Sequence, residues 1–555
     1  MKVAKYIAEF LFQKGVRTVF MLSGTGSIHL DDAFAYHKGL KYICARHEAA
    51  AVMMASANAK LRQDLGVVIA TTGPGGTNAI GGLVEAWVDS APVLVLSGQV
   101  STNLIVENVR SFGVQGFNII ESVRPMTKYA KTLKDPGKIR YYLEKATYLA
   151  KSGRPGPVWL DIPLDIQAAD IDIEKLDSYV PELIPDSKQE MDKHIDVIIG
   201  LLKKSTKPLF VVGQGVRNAG AIPEFKTSIE LVNAPFIASR LGQDILSYSH
   251  RNYFGLGGMR GRRYSKMIMK QADLVISLGS SLSYPFAGEK CDAFSRDAKI
   301  VMVNIDEAEL NKPTLRIDFP IKNDVKKMLI QLIMRVRDES LPDYGLWLRT
   351  CQGYKTKYPT VIPEYKRNPI NSYYFLERLE NYSNGKHIFV NDAGSAYYIG
   401  GQTLQFNKGQ REVTSGAFAS MGLAIPLAIG CATVDNDLQV LAVTGDGSME
   451  VNIQELRTIS HNNLNIKVFI INNGGYASIR HAQDNIVGGR YTDDSAILNF
   501  AKVADAFELP FHLIEKYEEL DKQIPQILQE KGPTLIEVVC DREQEILSPL
   551  EEETN

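Results

Sequence analysis

A chain of 555 residues is too long for one hydrophobic core, so two to four domains are expected. Its 45% hydrophobic and 23% charged residues exclude a disordered chain, and a net charge of −2 leaves no global field for nucleic acid or a membrane surface. Five scattered cysteines (Cys44, Cys291, Cys351, Cys431, Cys540), with no CxxC pair, argue against a disulfide framework or a zinc site and fit a reducing cytoplasm.

The N-terminus reads as an amphipathic helix rather than a signal peptide. Val3, Ile7, Phe10 and Leu11 recur at helical spacing, while Glu9, Gln13 and Lys14 interrupt the apolar run. No stretch is long and apolar enough to span a bilayer. Short β-rich runs then alternate with helical segments, the signature of parallel sheets with crossover helices. The first block has predicted strands at 18–22, 66–71, 92–97 and 157–161. Residues 170–192 are acidic, contain two prolines and read as a linker. The second block has strands at 208–212, 274–278 and 300–305. A polar stretch at 338–371 reads as the next linker. The third block has strands at 387–390, 440–444, 466–471 and 534–539. The expected organisation is α/β, with three parallel-sheet domains at 1–169, 185–340 and 360–545. The sequences of blocks one and three leave a common fold open.

The strongest chemical signal lies in block three. Gly445-Asp446-Gly447-Ser448 ends one strand, an amphipathic helix is predicted over 451–461, and Asn472-Asn473-Gly474-Gly475 ends the next strand. Both groups return to the same sheet edge, where ligands of open α/β sheets bind. Asp446 and the side-chain oxygen of Asn473 are hard donors for Mg²⁺. Gly447 admits a close backbone approach, and Ser448 can donate to a phosphate at a helix N-terminus. Alone, GDGS is an ordinary glycine-rich turn. With Asn473 following 27 positions after Asp446, the pair points to a metal-bound diphosphate.

This motif resembles that of the thiamine-diphosphate (ThDP) decarboxylases and carboligases, and the whole chain resembles the acetolactate synthase (acetohydroxyacid synthase) family. RHEAAA, TTGPGGTN, AWVDSAPVLVLSGQV, SGRPGPVWLDIPLD, GMRG…QADLVISLG and SGAFASMGLAIPLAIG carry the likeness. It implies a pyrimidine-binding, a central and a diphosphate-binding domain, in a homodimer or homotetramer with active sites between subunits. It implies that Glu48 is the catalytic acid on the cofactor's pyrimidine, and that Met421 is the apolar wedge bending the cofactor. The Ala419 carbonyl accepts from its amino group, and Mg²⁺ sits on Asp446, Asn473 and the Gly475 carbonyl. Gly73, Asn78, Gly394, Ser395, Gly445, Gly447, Ser448 and Tyr476 complete the cofactor set. Gly24, Thr25, Gln115, Ser478, Ile479 and Ala482 fall at substrate positions. His47, beside Glu48, reads either as a structural residue or as a proton carrier. The implied reaction decarboxylates pyruvate or a similar 2-keto acid and joins the two-carbon unit to an acceptor carbonyl.

Departures from the family concern the acceptor. Ala482 stands where the branch has Trp, Val114 where it has Phe, Gly116 where it has an acidic residue, and Gly394-Ser395-Ala396 where it has Gly-Gln-His. A larger pocket follows. NNGGYASIRHAQ and GSAYYIG resemble a sub-branch that transfers an acetyl unit to a nucleotide-linked ketosugar. Arg480 and His481 read equally as contacts to an anionic acceptor or as solvated polar residues. The family also holds a non-redox FAD in the central block. Both arginines of its FAD segment are lost here, at Ser281 and Pro285, which argues against a flavin; Arg240, Arg260 and Arg262 keep some anionic ligand in play. Three rivals remain. A simple decarboxylase needs extra histidines, and no adjacent pair exists. An oxidase needs redox-active FAD. A non-catalytic relative would have lost Glu48 or the metal ligands.

Overall fold

The computed structural model describes residues 1–182, 188–407, 409–492 and 497–547. The N-terminal helix Val3–Gln13 buries Val3, Ile7, Phe10 and Leu11, the face its spacing predicts. Six strands follow: β1 (Thr18–Met21), β2 (Lys41–Cys44), β3 (Gly66–Ala70), β4 (Val93–Gln99), β5 (Tyr129–Thr132) and β6 (Val158–Pro163). They pair in the order β2-β1-β3-β4-β6-β5, all parallel. The inner strands β3, β4 and β6 are buried at every residue because helices cover both faces.

The central sheet holds β7 (Pro208–Val212), β8 (Phe236–Ala238), β9 (Tyr253–Leu256), β10 (Leu274–Leu278), β11 (Lys299–Asn304) and β12 (Phe319–Lys322). Their order, β12-β11-β10-β7-β8-β9, is the 3-2-1-4-5-6 order of dinucleotide-binding sheets, read from the other edge. The third sheet holds β13 (His387–Asn391), β14 (Arg411–Val413), β15 (Gln439–Gly445), β16 (Ile466–Asn472), β17 (Phe511–Ile514) and β18 (Thr534–Val539). Its order, β14-β13-β15-β16-β18-β17, repeats that of the first sheet strand for strand. The kinship left open by the sequence is therefore present in the topology.

Three expectations need correction. The stretch 338–371 is not a plain linker: helix Gly345–Lys357 lies inside it. It docks on the central core through Trp347 and Cys351, one helical turn apart, and the Trp347 indole donates to the Pro208 carbonyl at 3.0 Å. The stretch 170–192 carries a 3₁₀ turn, Ile173–Lys175, and the first residues of helix Lys188–Lys204; residues 183–187 fall outside the described ones. The helix expected at 451–461 is broken into Asp446–Glu450, a 3₁₀ turn Ile453–Glu455 and Leu456–His461. The break falls at Asn452, whose amide turns inward to donate to the Gly422 carbonyl at 2.9 Å.

The first and third domains share one core. Helix Glu48–Arg62 lies against helix Ala424–Ala432, and Ala50, Met54, Ala57, Ile425, Ala428 and Ile429 belong to a single buried cluster. The approach is so close that a Cβ at Gly430 would collide with the Met54 backbone carbonyl. In both domains the switch point of the sheet, between β1 and β3 and between β13 and β15, opens at the carboxyl ends of the strands. Ligands of open α/β sheets bind at such points. Among the described residues no helix is long and apolar enough to cross a membrane.

Candidate functional site

The residues singled out in the sequence fall into two groups, one at each switch point. In the N-terminal group, Glu48 opens helix Glu48–Arg62 and is 4% exposed. The Asn78 amide donates to Glu48 Oε2 at 3.1 Å. A Cβ on Gly75 would lie 3.4 Å from Glu48 Oε1 and 2.8 Å from Thr71 Cγ2, so the turn after β3 is folded against the carboxyl. Gly24, after β1, packs on the other side of Thr71, and the Gly26 N–H donates to the Thr71 hydroxyl at 3.1 Å. Thr25 starts the 3₁₀ turn Thr25–Ser27, held by Asp31, which accepts from the Gly24 N–H at 3.1 Å and the Ser27 hydroxyl at 3.0 Å. Burial pushes the Asp31 carboxyl up to about 6, against these two bonds. Gly73 and Gln115 both have positive φ, +62° and +61°, and meet backbone to backbone. His47 is settled by geometry: its Nδ1 accepts from the Ala49 N–H at 3.2 Å, so it caps the helix that presents Glu48.

The C-terminal group is built around Asp446, 3% exposed at the end of β15. Its Oδ1 accepts from the Gly447 N–H at 2.7 Å, and its Oδ2 from the N–H of Gly475 at 2.9 Å and of Asn473 at 3.1 Å. Burial pushes the carboxyl up, and these backbone donors oppose that. One aspartate thus folds the Asn-Asn-Gly-Gly loop around itself, with Gly474 and Gly475 at φ +77° and +100°. Asn473 donates to the Ser395 hydroxyl at 3.4 Å. Gly394 faces the Ser478 hydroxyl, which is buried with no partner among the described residues. Ser448 is buried at the start of the short helix Asp446–Glu450. Gly447 is needed for a reason the sequence did not reveal: a Cβ there would lie 2.5 Å from the Tyr476 ring.

These donors suit a hard cation and a phosphate. Among the described residues no three His, Cys, Asp or Glu side chains converge on a metal site. A cation here would take one carboxylate, one amide oxygen and one main-chain carbonyl, a set chosen by Mg²⁺-like ions rather than soft metals. The orphaned Ser478 hydroxyl fits an absent hydrogen-bonding group.

Arg480 is neither solvated nor turned toward an acceptor. It is 2% exposed and donates to the carbonyls of Gly474 at 2.7 Å, Asn473 at 2.8 Å and Arg542 at 3.1 Å. It clamps the loop that carries the candidate metal ligands, while His481 is exposed. Ile479 is exposed on the same helix, Ala477–Ala482, and Ala482 is half-buried at its end, before the π-turn Gln483–Val487. Ala419 and Met421 lie on a turn before helix Ala424–Ala432. Ala419 has φ +50°, rare for a residue with a Cβ, and Met421 is 41% exposed. Asp392, which the sequence did not flag, holds the end of this turn by accepting from the N–H of Gly422 at 2.9 Å and of Ala424 at 3.0 Å.

No hydrogen bond or ion pair among the described residues joins the Glu48 group to the Asp446 group. What the C-terminal domain gives Glu48 is support through its chain neighbours: Glu455 accepts from the N–H of Arg46 at 2.8 Å and of His47 at 3.1 Å.

Comparison with known proteins matches this layout domain by domain. Residues 1–118 match the N-terminal TPP binding domain of thiamine pyrophosphate enzymes, 195–332 their central domain, and 392–538 their C-terminal TPP binding domain. The chain is 29% identical to the acetolactate synthase large subunit of Lactococcus lactis subsp. lactis over 98% of this chain and 93% of that one. It is also 29% identical to the chloroplastic acetolactate synthase of Arabidopsis thaliana, over 98% and 82%, and to the acetolactate synthase isozyme 3 large subunit of Escherichia coli K12, over 95% and 92%. The chain belongs to the thiamine pyrophosphate enzymes of the acetolactate synthase family. It is a ThDP-dependent enzyme of that type.

In this family member a cavity of about 610 Å³ opens where the three domains meet, over the switch point of the central sheet between β7 and β10. Gly215, Gly279, Ser281, Pro285, Asn304 and Gly416 are among its lining. Its cations are largely engaged. Arg240 pairs with Glu412, Arg154 with Asp306 and Glu309, and Lys151 with Asp64. Arg260 lines the cavity over the Tyr398 ring. Arg262 is not among the lining residues: it is buried and donates to the carbonyls of Thr403 and Leu404, tying the central domain to the third.

Proposed function

We propose that this chain is a ThDP- and Mg²⁺-dependent carboligase that decarboxylates pyruvate or a similar 2-keto acid and transfers the two-carbon unit to an acceptor carbonyl. The observation that carries the reading is the Asp446 loop: one buried carboxylate, flanked by an amide and two left-handed glycines, folded as an oxygen-donor cradle beside an orphaned hydroxyl. Asp446, the Asn473 side-chain oxygen and the Gly475 carbonyl would hold Mg²⁺, which neutralises the diphosphate. Gly394, Ser395, Gly445, Gly447, Ser448 and Tyr476 surround that end.

The chemistry the cofactor supplies when bound is a carbon nucleophile and an electron sink for loss of CO₂. Asn78 occupies Glu48 Oε2, leaving Oε1 to exchange a proton with a pyrimidine nitrogen. The Ala419 carbonyl would accept from the cofactor's amino group, and the exposed Met421 side chain would pack against its rings. Gly24, Thr25 and Gln115 border the reacting centre from one side, and Ser478, Ile479 and Ala482 from the other.

In the family this chain resembles, active sites lie between subunits, and a second copy of the chain would bring its Glu48 group to the Asp446 group of this one. Exposed Val114, Phe418, Met421, Ile479 and Ile486 lie on these segments and suit burial against that copy. The assembly is a homodimer or homotetramer. Five free thiols suit a reducing, cytoplasmic setting. Arg240, Arg154 and Lys151 of the central cavity are already ion-paired, which leaves a dinucleotide diphosphate few cationic partners there, and the proposed reaction needs no flavin.

A second reading has its own support. Ala482 replaces a large ring at the substrate edge, and the adjoining π-turn Gln483–Val487 leaves Ile486 and Val487 exposed, so the acceptor side is open. Such an open edge would admit an acceptor as large as a nucleotide-linked ketosugar. Incubation of the purified protein with ThDP, Mg²⁺ and pyruvate separates the readings. Acetolactate as the sole product supports a small keto acid acceptor. Slow turnover that accelerates with a ketosugar nucleotide supports the branched-sugar reading. Free acetaldehyde alone would mark a simple decarboxylase and overturn carboligation.

A further inference from the structure

The turn that carries Ala419 is held from outside its own domain. Helix Pro74–Val88 of the N-terminal domain starts at Gly73 and ends at Asp89, so it runs from the Glu48 group to the back of this turn. At its far end Glu85 is 1% exposed, and its Oε2 accepts from the Ser420 hydroxyl at 2.8 Å. Oε1 is buried without a hydrogen-bond partner of good geometry among the described residues. On the same turn the Ser415 hydroxyl accepts from the Ala419 N–H at 2.8 Å. One turn further on, Asp89 accepts from the Gly416 N–H at 2.8 Å and is itself paired to buried Lys60, which also donates to the Thr414 carbonyl at 3.2 Å. Residues on both sides of Ala419 are therefore pinned by three charged side chains of the first domain.

This arrangement answers a physical question. Ala419 has φ +50°, a conformation that a residue with a Cβ avoids unless its surroundings over-determine it. The segment is also half exposed at Ala417 and Phe418, so its own packing is thin. Burying an acid at Glu85 beside a second at Asp89 is costly: burial first, and then the Asp89 charge, push the Glu85 carboxyl up, while Lys60 and the Ser420 hydroxyl oppose them. Such a cost persists where the acid fixes something else.

We propose that Glu85, backed by Asp89 and Lys60, is a positioning residue that locks the Ala419 turn in its left-handed form and so aims the Ala419 carbonyl and Met421 at the cofactor. The inference rests on the reading that this turn holds the aminopyrimidine of ThDP. It assigns to the N-terminal domain a second task besides presenting Glu48: shaping the cofactor turn of its own chain.

The test is ThDP affinity, measured by calorimetry on the full-length protein with saturating Mg²⁺. Glu85→Ala should bind ThDP ~10-fold more weakly, the scale of releasing one strained residue. Glu85→Gln keeps an oxygen for Ser420 and should stay near wild type. The double variant Glu85→Ala/Ala419→Gly should recover most of the loss, because glycine adopts positive φ unaided. A general folding defect would not be repaired that way. Ser420→Ala, which leaves the first domain intact, should weaken binding in the same direction and carries the test if Glu85→Ala does not fold. Wild-type affinity in both Glu85→Ala and Ser420→Ala, or a double variant as weak as Glu85→Ala, would overturn the proposal. A wild-type protein that binds no ThDP would instead overturn the reading on which it rests.

Discussion

Replacing Arg480 by leucine removes the clamp on the Asn473–Gly475 loop. The guanidinium is 2% exposed and spans the carbonyls of Asn473 and Gly474 with bonds of 2.8 and 2.7 Å. Leucine fills part of the space and makes neither bond. The two peptide units then keep only their N–H bonds, Gly474 to the Asn472 side chain and Gly475 to Asp446, and a cation must order their carbonyls again at up to ~1–2 kcal/mol per residue. Two residues amount to at most ~2–4 kcal/mol, and about 1.4 kcal/mol is a factor of ten, so Mg²⁺ affinity should fall by up to ~10²-fold. Lysine at this position offers a point charge that cannot fork across two carbonyls, and Arg480→Lys should fall between. The assay is a Mg²⁺ titration of ThDP binding, followed by tryptophan fluorescence, with circular dichroism to establish the fold. An Arg480→Leu protein with native dichroism and an unchanged Mg²⁺ requirement would refute the reasoning.

Other outcomes follow from the same contacts. Glu48→Gln should retain ThDP binding yet lower CO₂ release from pyruvate by at least ~10²-fold, the scale of general acid–base assistance; near-normal release would remove Glu48 from the chemistry. Gly430→Val places carbon against the Met54 backbone and should cost ~1–3 kcal/mol of stability, seen as a lower urea midpoint, whereas an unchanged midpoint would mean the two helices part easily. Asp161, fully buried and accepting from Ser97, Gln99 and Thr132, is pushed up to about 6 by its burial. Its proton is bound more tightly in the folded chain, so its contribution is complete below about pH 4 and is lost as pH rises through about 6. Two pKa units make this ~3 kcal/mol; urea unfolding of Asp161→Asn should vary less than wild type between pH 4 and 6, and parallel curves would contradict the sign.

What was legible in the sequence was local. Gly445-Asp446-Gly447 and Asn472-Asn473 announce themselves because both lie at strand ends a single crossover apart. The inner strands announce themselves because burial on both faces leaves continuous apolar runs. The edge strands β2, β5, β14 and β17 are short and partly exposed, so their composition did not separate them from loops. Helix Gly345–Lys357 was hidden because only Trp347 and Cys351 of it are fully buried, in a segment rich in polar residues. Arg480 was misread because a charged residue beside a candidate acceptor pocket invites a ligand, whereas its partners are carbonyls six and seven residues earlier, reached only once the loop has folded back. Asp392, Glu455 and Glu85 were invisible for a related reason: each acts on a backbone N–H or a hydroxyl distant in the chain, and no spacing rule encodes such a contact.

The account stands on a diphosphate held through a cation at Asp446. Calorimetric titration of the purified chain with ThDP, in the presence of Mg²⁺ and then of excess chelator, tests this directly. Saturable uptake with Mg²⁺, lost on chelation and lost in Asp446→Ala, is the predicted result. Uptake indifferent to both the metal and that carboxylate, or no uptake at all, would contradict it.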